Sequence, residues 1–425
     1  MKNRQALILL FSANAISGFA QGVSMLAIPW YFARQDLSSQ FNLIFGFVTF
    51  ATVFWGLYAG AMVDRFPRKS LFLGTNLVEG LILIFVAMIG WQNGGLPTGL
   101  VILVFATTVF GYRMHYPNLY AFAQEITPPA YYTKVTSYIE IVGQATNVLA
   151  GAFAVVLLEG IDYEGNWWLL GKFNFVIEPW KIYEIFTLDA ATYFISVILI
   201  AFIKYMPDKK FEVEKGKLLN RLKTGFQFLI QNPIILLFGF FSHSIFVIML
   251  VSLFAVMPMY ITNYLQAGGQ VFGTMEVLYG LGALSAGIFI SRLTQHITKT
   301  KAIIALMLLT TIILALCMVI KSVPFYFLVG LTIGFTNAGT RVLRVSYLFN
   351  HIPNQVIGRV NSIFSLLNII MRGIFVMIFS LQFFSRDTNI IYAYAIMASL
   401  TFVSGLVLWK YYKKITTYQQ PRQSL

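Results

Sequence analysis

Seven ionisable side chains fall inside long apolar runs of the chain: Glu79, Glu140, Asp189, Glu276, Arg113, Arg341 and Arg372. At the centre of a bilayer such a group costs at least ~2.5 kcal/mol on insertion scales, so each calls for a partner, a wet cavity or a function. The chemistry open to them is proton exchange. Loss of water favours a neutral carboxyl, a nearby arginine favours the ionised one, and a site that alternates between wet and dry takes up and releases a proton. Glu140 lies a little over one turn inside its run and Arg113 some two turns inside the same end of the preceding one, so antiparallel helices can bring them together. The pair either makes and breaks during a working cycle or is a permanent ion pair. Glu79 admits the same two readings, structural pairing or proton coupling. Glu276, about a turn from a boundary, reads as a wet structural carboxylate, and Asp189 as a cap at the start of its helix. Arg372 has no acid in its own run and must face a cavity, a partner or an anionic substrate. His115 and His243 are each isolated and read as hydrogen-bonded side chains. Metal binding at His243 lacks support, because the first run offers only Asn14 and Gln21 as strong ligand candidates.

The elements that position these groups follow from composition. Of 425 residues, 58% are hydrophobic and 11% charged, and the mean hydropathy is +0.74, whereas a soluble domain carries about 25% charged residues. Apolar runs of roughly 20 residues match a hydrocarbon core of about 30 Å crossed by α-helices. The period-2 alternation of a membrane barrel is absent, which leaves the helix as the structure that satisfies its own backbone in lipid. The expectation is an all-α polytopic membrane protein with twelve transmembrane helices as two six-helix bundles. Cys317 is the single cysteine, so neither an intrachain disulfide nor a cysteine-based metal site can form. The apolar N-terminal run continues to Phe32 without a small-x-small cleavage site and reads as the first span. The net charge of +14 is spread between spans, which argues for membrane orientation and against nucleic acid.

The expected spans are 6–32, 42–62, 71–91, 99–122, 136–158 and 185–203, then 234–261, 271–291, 300–320, 323–343, 361–384 and 389–409. With both termini on one side, that side receives 22 of the 30 basic residues, so both ends are expected to be cytoplasmic. Residues 1–203 form the first bundle, 204–233 a cytoplasmic linker, 234–411 the second bundle and 412–425 a cytoplasmic tail. Within the linker, Leu218, Leu219, Leu222, Phe226 and Leu229 recur at helical spacing between basic residues, the pattern of an interfacial helix.

The halves repeat one another. Pro29-Trp30-Tyr31 matches Pro258-Met259-Tyr260, Ala59-Gly60 with Asp64-Arg65 matches Ala286-Gly287 with Ser291-Arg292, and Gly111-Tyr112-Arg113 matches Gly339-Thr340-Arg341. The pairs keep their order and nearly the same offset, which fits two units of the same topology with a pathway between them. That is a transporter's architecture, not an enzyme's. The stretch Gly60-x-x-x-Asp64-Arg65-x-x-Arg68-Lys69 resembles the signature loop of the major facilitator superfamily, with Pro67 where a glycine usually stands. MHYPNLYAFAQEITP, LDAATYFISVILI and HIPNQVIGRVNSIF resemble its macrolide efflux and enterobactin exporter branch.

The resemblance implies the major facilitator fold and a secondary exporter that works by alternating access, driven by inward proton flow. It implies a multi-pass protein of the bacterial cytoplasmic membrane that acts as a monomer, without cofactor, on protons and a small amphipathic organic substrate such as a drug or siderophore. Gly60, Asp64, Arg65, Arg68 and Lys69 become the gating loop, with Asp64 as its acidic latch near Asn361. Helices 1, 4, 7 and 10 would line the cavity, which selects Asn14, Gln21, Tyr31, Tyr112, Tyr116, His243 and Asn337, together with Arg372. Few polar groups among apolar walls suit loosely specific binding. The superfamily's Arg-x-x-x-Gly antiporter pattern has no clean match, since Pro117 stands four residues after Arg113. Two other readings stay open: a lipid or lysolipid translocase of the same fold, and a membrane receptor or scaffold that transports nothing.

Overall fold

The computed structural model describes residues 3–128, 131–167, 171–205, 218–293 and 297–418. Six long helices come first: α1 (Arg4–Arg34), α2 (Ser38–Arg65), α3 (Arg68–Asn93), α4 (Thr98–Glu125), α5 (Tyr132–Glu159) and α6 (Ile182–Ala201). The amphipathic α7 (Leu218–Gln231) follows. The seventh span is broken into α8 (Pro233–Ser242), α9 (Ser244–Val251) and α10 (Met257–Met259), and after it come α11 (Gly269–Leu293), α12 (Lys299–Leu316), α13 (Val323–His351), α14 (Asn354–Phe379), the short α15 (Gln382–Ser385), α16 (Ile391–Lys410) and the short α17 (Tyr412–Thr416). Among the described residues, eleven helices are long and apolar enough to cross a membrane. The expected tenth span is α13, 29 residues long, and its polar face of Thr332, Thr336, Asn337, Thr340 and Arg341 lowers its hydropathy.

Two features depart from uniform helix. Between α5 and α6 the chain forms an antiparallel hairpin, β1 (Ile161–Trp167) with β2 (Gly171–Ile177), in the register Ile161 to Ile177 and Tyr163 to Phe175. No strand is expected there from the spans; the local alternation of apolar with polar residues over a few positions is enough to pair two strands. In the seventh span, wide π-turns at Ser252–Val256 and Tyr260–Leu265 flank α10. Pro258 has no backbone N–H to give and its ring crowds the preceding turn, the usual cause of such a local widening.

The described chain packs as two compact units. The first holds 1–35, 51–214 and 268–277, and the second holds 36–50, 215–267 and 278–425. One core cluster of the first unit joins Leu7, Leu10, Phe72, Leu119, Phe122 and Ile200. A corresponding cluster in the second joins Phe238, Ile303, Met307, Leu343, Val360 and Leu408. The stretch expected to be an interfacial helix is α7, whose Phe228 and Leu229 are buried in that second cluster while Phe226 and Ile230 stay exposed. Its apolar face is thus spent at least partly on protein.

Candidate functional site

Four helices of the first unit converge on a buried polar cluster. Glu79 of α3 is 7% exposed and Asp189 of α6 is fully buried. The two carboxyls are electrostatic neighbours, and the Tyr193 hydroxyl bonds Glu79. Gln21 of α1 donates from Nε2 to that hydroxyl at 3.0 Å, so an amide, a phenol and a carboxyl form one relay. On the next turn of α1, Ser24 stands beside Asp189. It does so without ordinary hydrogen-bond geometry: Ser24 Oγ and both Asp189 oxygens lack a hydrogen-bond partner among the described residues. On α4, Gly111 makes the room, because a Cβ there would sit 2.7 Å from Glu79 Oε2. Asp189 is therefore no helix cap. It lies well inside α6, and the start of that helix is instead closed by Glu184, which accepts from the Lys181 N–H at 2.6 Å. A sequence shows distance from a helix end but not which neighbours cover the side chain.

The other site residues are distributed over several positions. Asn14 Oδ1 accepts from His115 Nε2 at 2.8 Å, and His115 lies edge-on to Phe72 at 5.1 Å. The rings of Tyr112 and Tyr116 lie 4.6 Å apart, tilted by 45°. Tyr31 donates to the Leu96 carbonyl at 3.3 Å, and Gln21 turns to the carboxyl cluster, so these α1 residues do not share one site with Asn14. Arg113 is half-buried with Tyr112 beside it. Gly60, Asp64 and Glu140 are described only as helix positions, so the Glu140 and Arg113 pair and the Asp64 latch lie outside the described side chains. In the signature loop Arg65 is exposed, while Lys69 Nζ donates to the Ala201 and Ile203 carbonyls at 2.8 and 2.9 Å and closes the end of α6. The Arg68 carbonyl accepts from Asn118 at 3.0 Å. Just past α6, Tyr205 donates to Glu125 at 3.1 Å. Burial first, then the Glu125 charge, push that phenol up to about 12, so it remains a donor at physiological pH. Glu276 is half-buried, its Cβ packed where a Gly151 side chain would be.

In the second unit a pocket of about 40 Å³ opens between α8, α9, α14 and α16, walled by Phe240, Phe241, Val247, Phe364, Leu367 and Leu400. That space holds more than one water molecule. Three of its polar atoms, Ser244 Oγ, Asn368 Nδ2 and Ser404 Oγ, are buried without a hydrogen-bond partner among the described residues. His243 stacks on Phe364 at 5.5 Å, and its Nδ1 lies 2.6 Å from the Gly239 carbonyl. A carbonyl only accepts, so Nδ1 carries the hydrogen and Nε2 presents a lone pair in the neutral ring. Behind the histidine, Arg344 is buried and donates to the Ser242 carbonyl at 2.9 Å, one of the groups released where α8 stops. Arg372 is half-buried on α14, next to the pocket residue Met371. Asn337 donates to Tyr279 at 2.7 Å, away from this pocket. Sequence reading picks out His243 but not Asn368, Ser404 or Arg344. Small polar residues in apolar helices carry no signal until the packing shows them unpaired. No group of three or more metal-ligating side chains occurs among the described residues.

The Major Facilitator Superfamily family model matches residues 10–376 and 240–424. Macrolide efflux protein A of Streptococcus pyogenes is 20% identical over 292 residues, 66% of this chain and 65% of that protein's length. The chain thus spans slightly under two thirds of that relative. The multidrug efflux pump Tap of Mycobacterium tuberculosis is 27% identical over 94 residues, 22% of each chain. Among solved structures, the POT family transporter PepTSo superposes with a TM-score of 0.70 at 11% identity, over 99% of this chain and 100% of that one. A D-xylose-proton symporter does so with a TM-score of 0.69 at 13% identity, over 96% and 98%. At such identities the structural likeness speaks for the fold alone.

Proposed function

Because the chain belongs to the Major Facilitator Superfamily, we propose that it is a secondary active exporter that moves an amphipathic organic compound by alternating access and proton antiport. Residues 1–203 and 234–411 serve as its bundles, 204–233 as the cytoplasmic linker and 412–425 as the tail, with both termini in the cytoplasm of a bacterial cell and the monomer as the working unit. The observation that carries the substrate class is the pocket of the second unit. Its aromatic and aliphatic walls, with three polar atoms unpaired among the described residues, suit an apolar portion of such a molecule that brings a hydrogen-bonding group of its own. Two efflux proteins among the relatives point the same way.

The test uses erythromycin and ethidium as probes. Everted vesicles containing the protein are expected to accumulate one or both when a pH gradient is imposed and to lose that accumulation when a protonophore collapses the gradient. Transport that neither depends on nor dissipates the gradient would overturn antiport. Asn368→Leu keeps the pocket's size but removes its donor, and is expected to lower apparent affinity about 5- to 30-fold for a probe that the amide binds. A vesicle that moves labelled lysophospholipid and neither probe would establish lipid translocation in place of efflux.

Asp64 carries the second expectation. As the latch of the gating loop its charge is needed and its bulk is not, so Asp64→Asn is expected to lower probe efflux about tenfold or more while expression and membrane orientation stay unchanged. Efflux at the parental rate would remove Asp64 from the mechanism.

A further inference from the structure

The antiport reading leaves open where the proton binds: the sequence offers the Glu140 and Arg113 pair and, separately, Glu79. The carboxyl cluster on α3 and α6 is the better-built site. Asp189 has no exposed surface, and neither oxygen has a donor among the described residues. Glu79, its neighbour, accepts the Tyr193 hydroxyl, which is itself held by Gln21 at 3.0 Å. Ser24, fully buried and unpartnered, faces Asp189. From the packed elements the titratable groups at this site are Glu79 on α3 with Asp189 and Tyr193 on α6; α1 supplies the neutral Gln21 and Ser24, and α4 supplies Gly111. No lysine, arginine or histidine is among its described electrostatic neighbours. Nearby on α4, His115 is engaged by Asn14 and Arg113 has Tyr112 at its side.

We propose that Asp189 and Glu79 form the proton-binding site of transport, with the carried proton on Asp189. This rests on the antiport reading above. Two adjacent carboxylates without a cation repel one another and are poorly solvated in an apolar interior. The two are not equivalent: Glu79 receives a hydroxyl that tolerates its charge, whereas Asp189 receives nothing and is satisfied as a neutral acid that can donate to Ser24. Binding adds one proton to an Asp189 oxygen, and release returns it to water when that turn of α6 becomes wet. Of the residues expected to line the substrate cavity, Gln21 takes part here, and only through the Tyr193 hydroxyl, so proton and substrate need not compete for the carboxyls themselves. They communicate only if the packing of α3, α6 and α1 changes between transport states.

The decisive experiment is infrared difference spectroscopy of the full-length protein in lipid nanodiscs, titrated with pH in the absence of substrate. A protonated-carboxyl C=O stretching band is expected; it disappears in Asp189→Asn and persists with a shift in Glu79→Gln and Tyr193→Phe. Ser24→Ala, which leaves both acids in place, is expected to shift the same band and covers the case in which Asp189→Asn does not fold. A band unchanged by Asp189→Asn or, if that variant is lost, by Ser24→Ala overturns the assignment, as does a band that sodium ions abolish at constant pH. In proteoliposomes, the ratio of pH-driven to gradient-free ethidium flux is expected to fall about tenfold in Asp189→Asn. Equal loss of both fluxes in a folded variant means a structural role and overturns the coupling assignment. If the parent protein moves no ethidium, the substrate reading fails while the infrared band still decides the proton site.

Discussion

Gly334→Ala is expected to abolish most of the folded protein. A Cβ at Gly334 would lie 2.8 Å from the Tyr279 carbonyl carbon and 3.0 Å from its Cα, with the carbonyl oxygen closer still. The partner position behaves alike: a Cβ at Gly282 would meet the Leu331 carbonyl carbon at 2.9 Å and the Phe335 nitrogen at 3.0 Å. Here α11 and α13 cross backbone to backbone, the close approach that small residues permit inside a bilayer. A methyl group pressed against a flexible side chain can be accommodated; one pressed against a helix backbone must push the helix away. Overpacking alone costs about 1–3 kcal/mol, and occasionally more. Separation of the helices would also break the 2.7 Å bond from Asn337 to Tyr279, worth about 1 kcal/mol. Gly287→Ala on the same α11 is the control, because nothing lies within 4 Å of a Cβ there. Fluorescence-detected size exclusion and thermal melting in detergent should show the first variant aggregated or strongly destabilised and the second like the parent. Equal melting of the two would show that the crossing is looser than described.

Glu159→Ala is expected to lose about 2–4 kcal/mol, and Glu159→Gln about 1 kcal/mol. The carboxylate accepts from Trp30 Nε1 at 2.9 Å. The indole is 2% exposed, so without Glu159 its N–H would be buried and unsatisfied. Glu159 also packs on Gly269, where α11 starts and its free N–H groups point outward. The ion pair with Arg34, at 3.6 Å, adds little because the arginine side chain is 57% exposed. Glutamine keeps an acceptor for the indole and gives up only the charge at the helix start, so the order alanine, glutamine, parent in melting temperature tests the assignment. If glutamine were as damaging as alanine, charge would be the main contribution and the indole bond a minor one.

These two sites show how unevenly the molecule could be read. The long helices, their polar punctuation and the internal repeat were visible because each depends on nearest neighbours in the chain or on the solvent. A run of apolar residues long enough to cross a bilayer has few alternatives to helix. Gly60, Asp64, Arg68 and Lys69 were visible for the same reason, since a short polar connection between apolar runs stands out. Glu79 was recognisable as an anomaly, but its meaning was not, because its neighbours Gly111 and Tyr193 are far away in sequence. The expectation of a cap at Asp189 fails because Ser24 and Glu79, which cover it, are far away in sequence, and Glu159 carries no sequence signal at all.

Chain composition and motif therefore determined by themselves that this protein is a polytopic helical membrane protein of the major facilitator kind, since hydropathy and a signature loop need no knowledge of packing. Only the tertiary structure decided which polar groups meet: Gln21 with Tyr193 and Glu79, Ser24 with Asp189, Trp30 with Glu159, and Ser244, Asn368 and Ser404 around one pocket. The physical reason is that these meetings depend on the rotation and crossing of each helix. Those are set by where side chains are small enough for two backbones to approach, and no periodicity along a single helix records that.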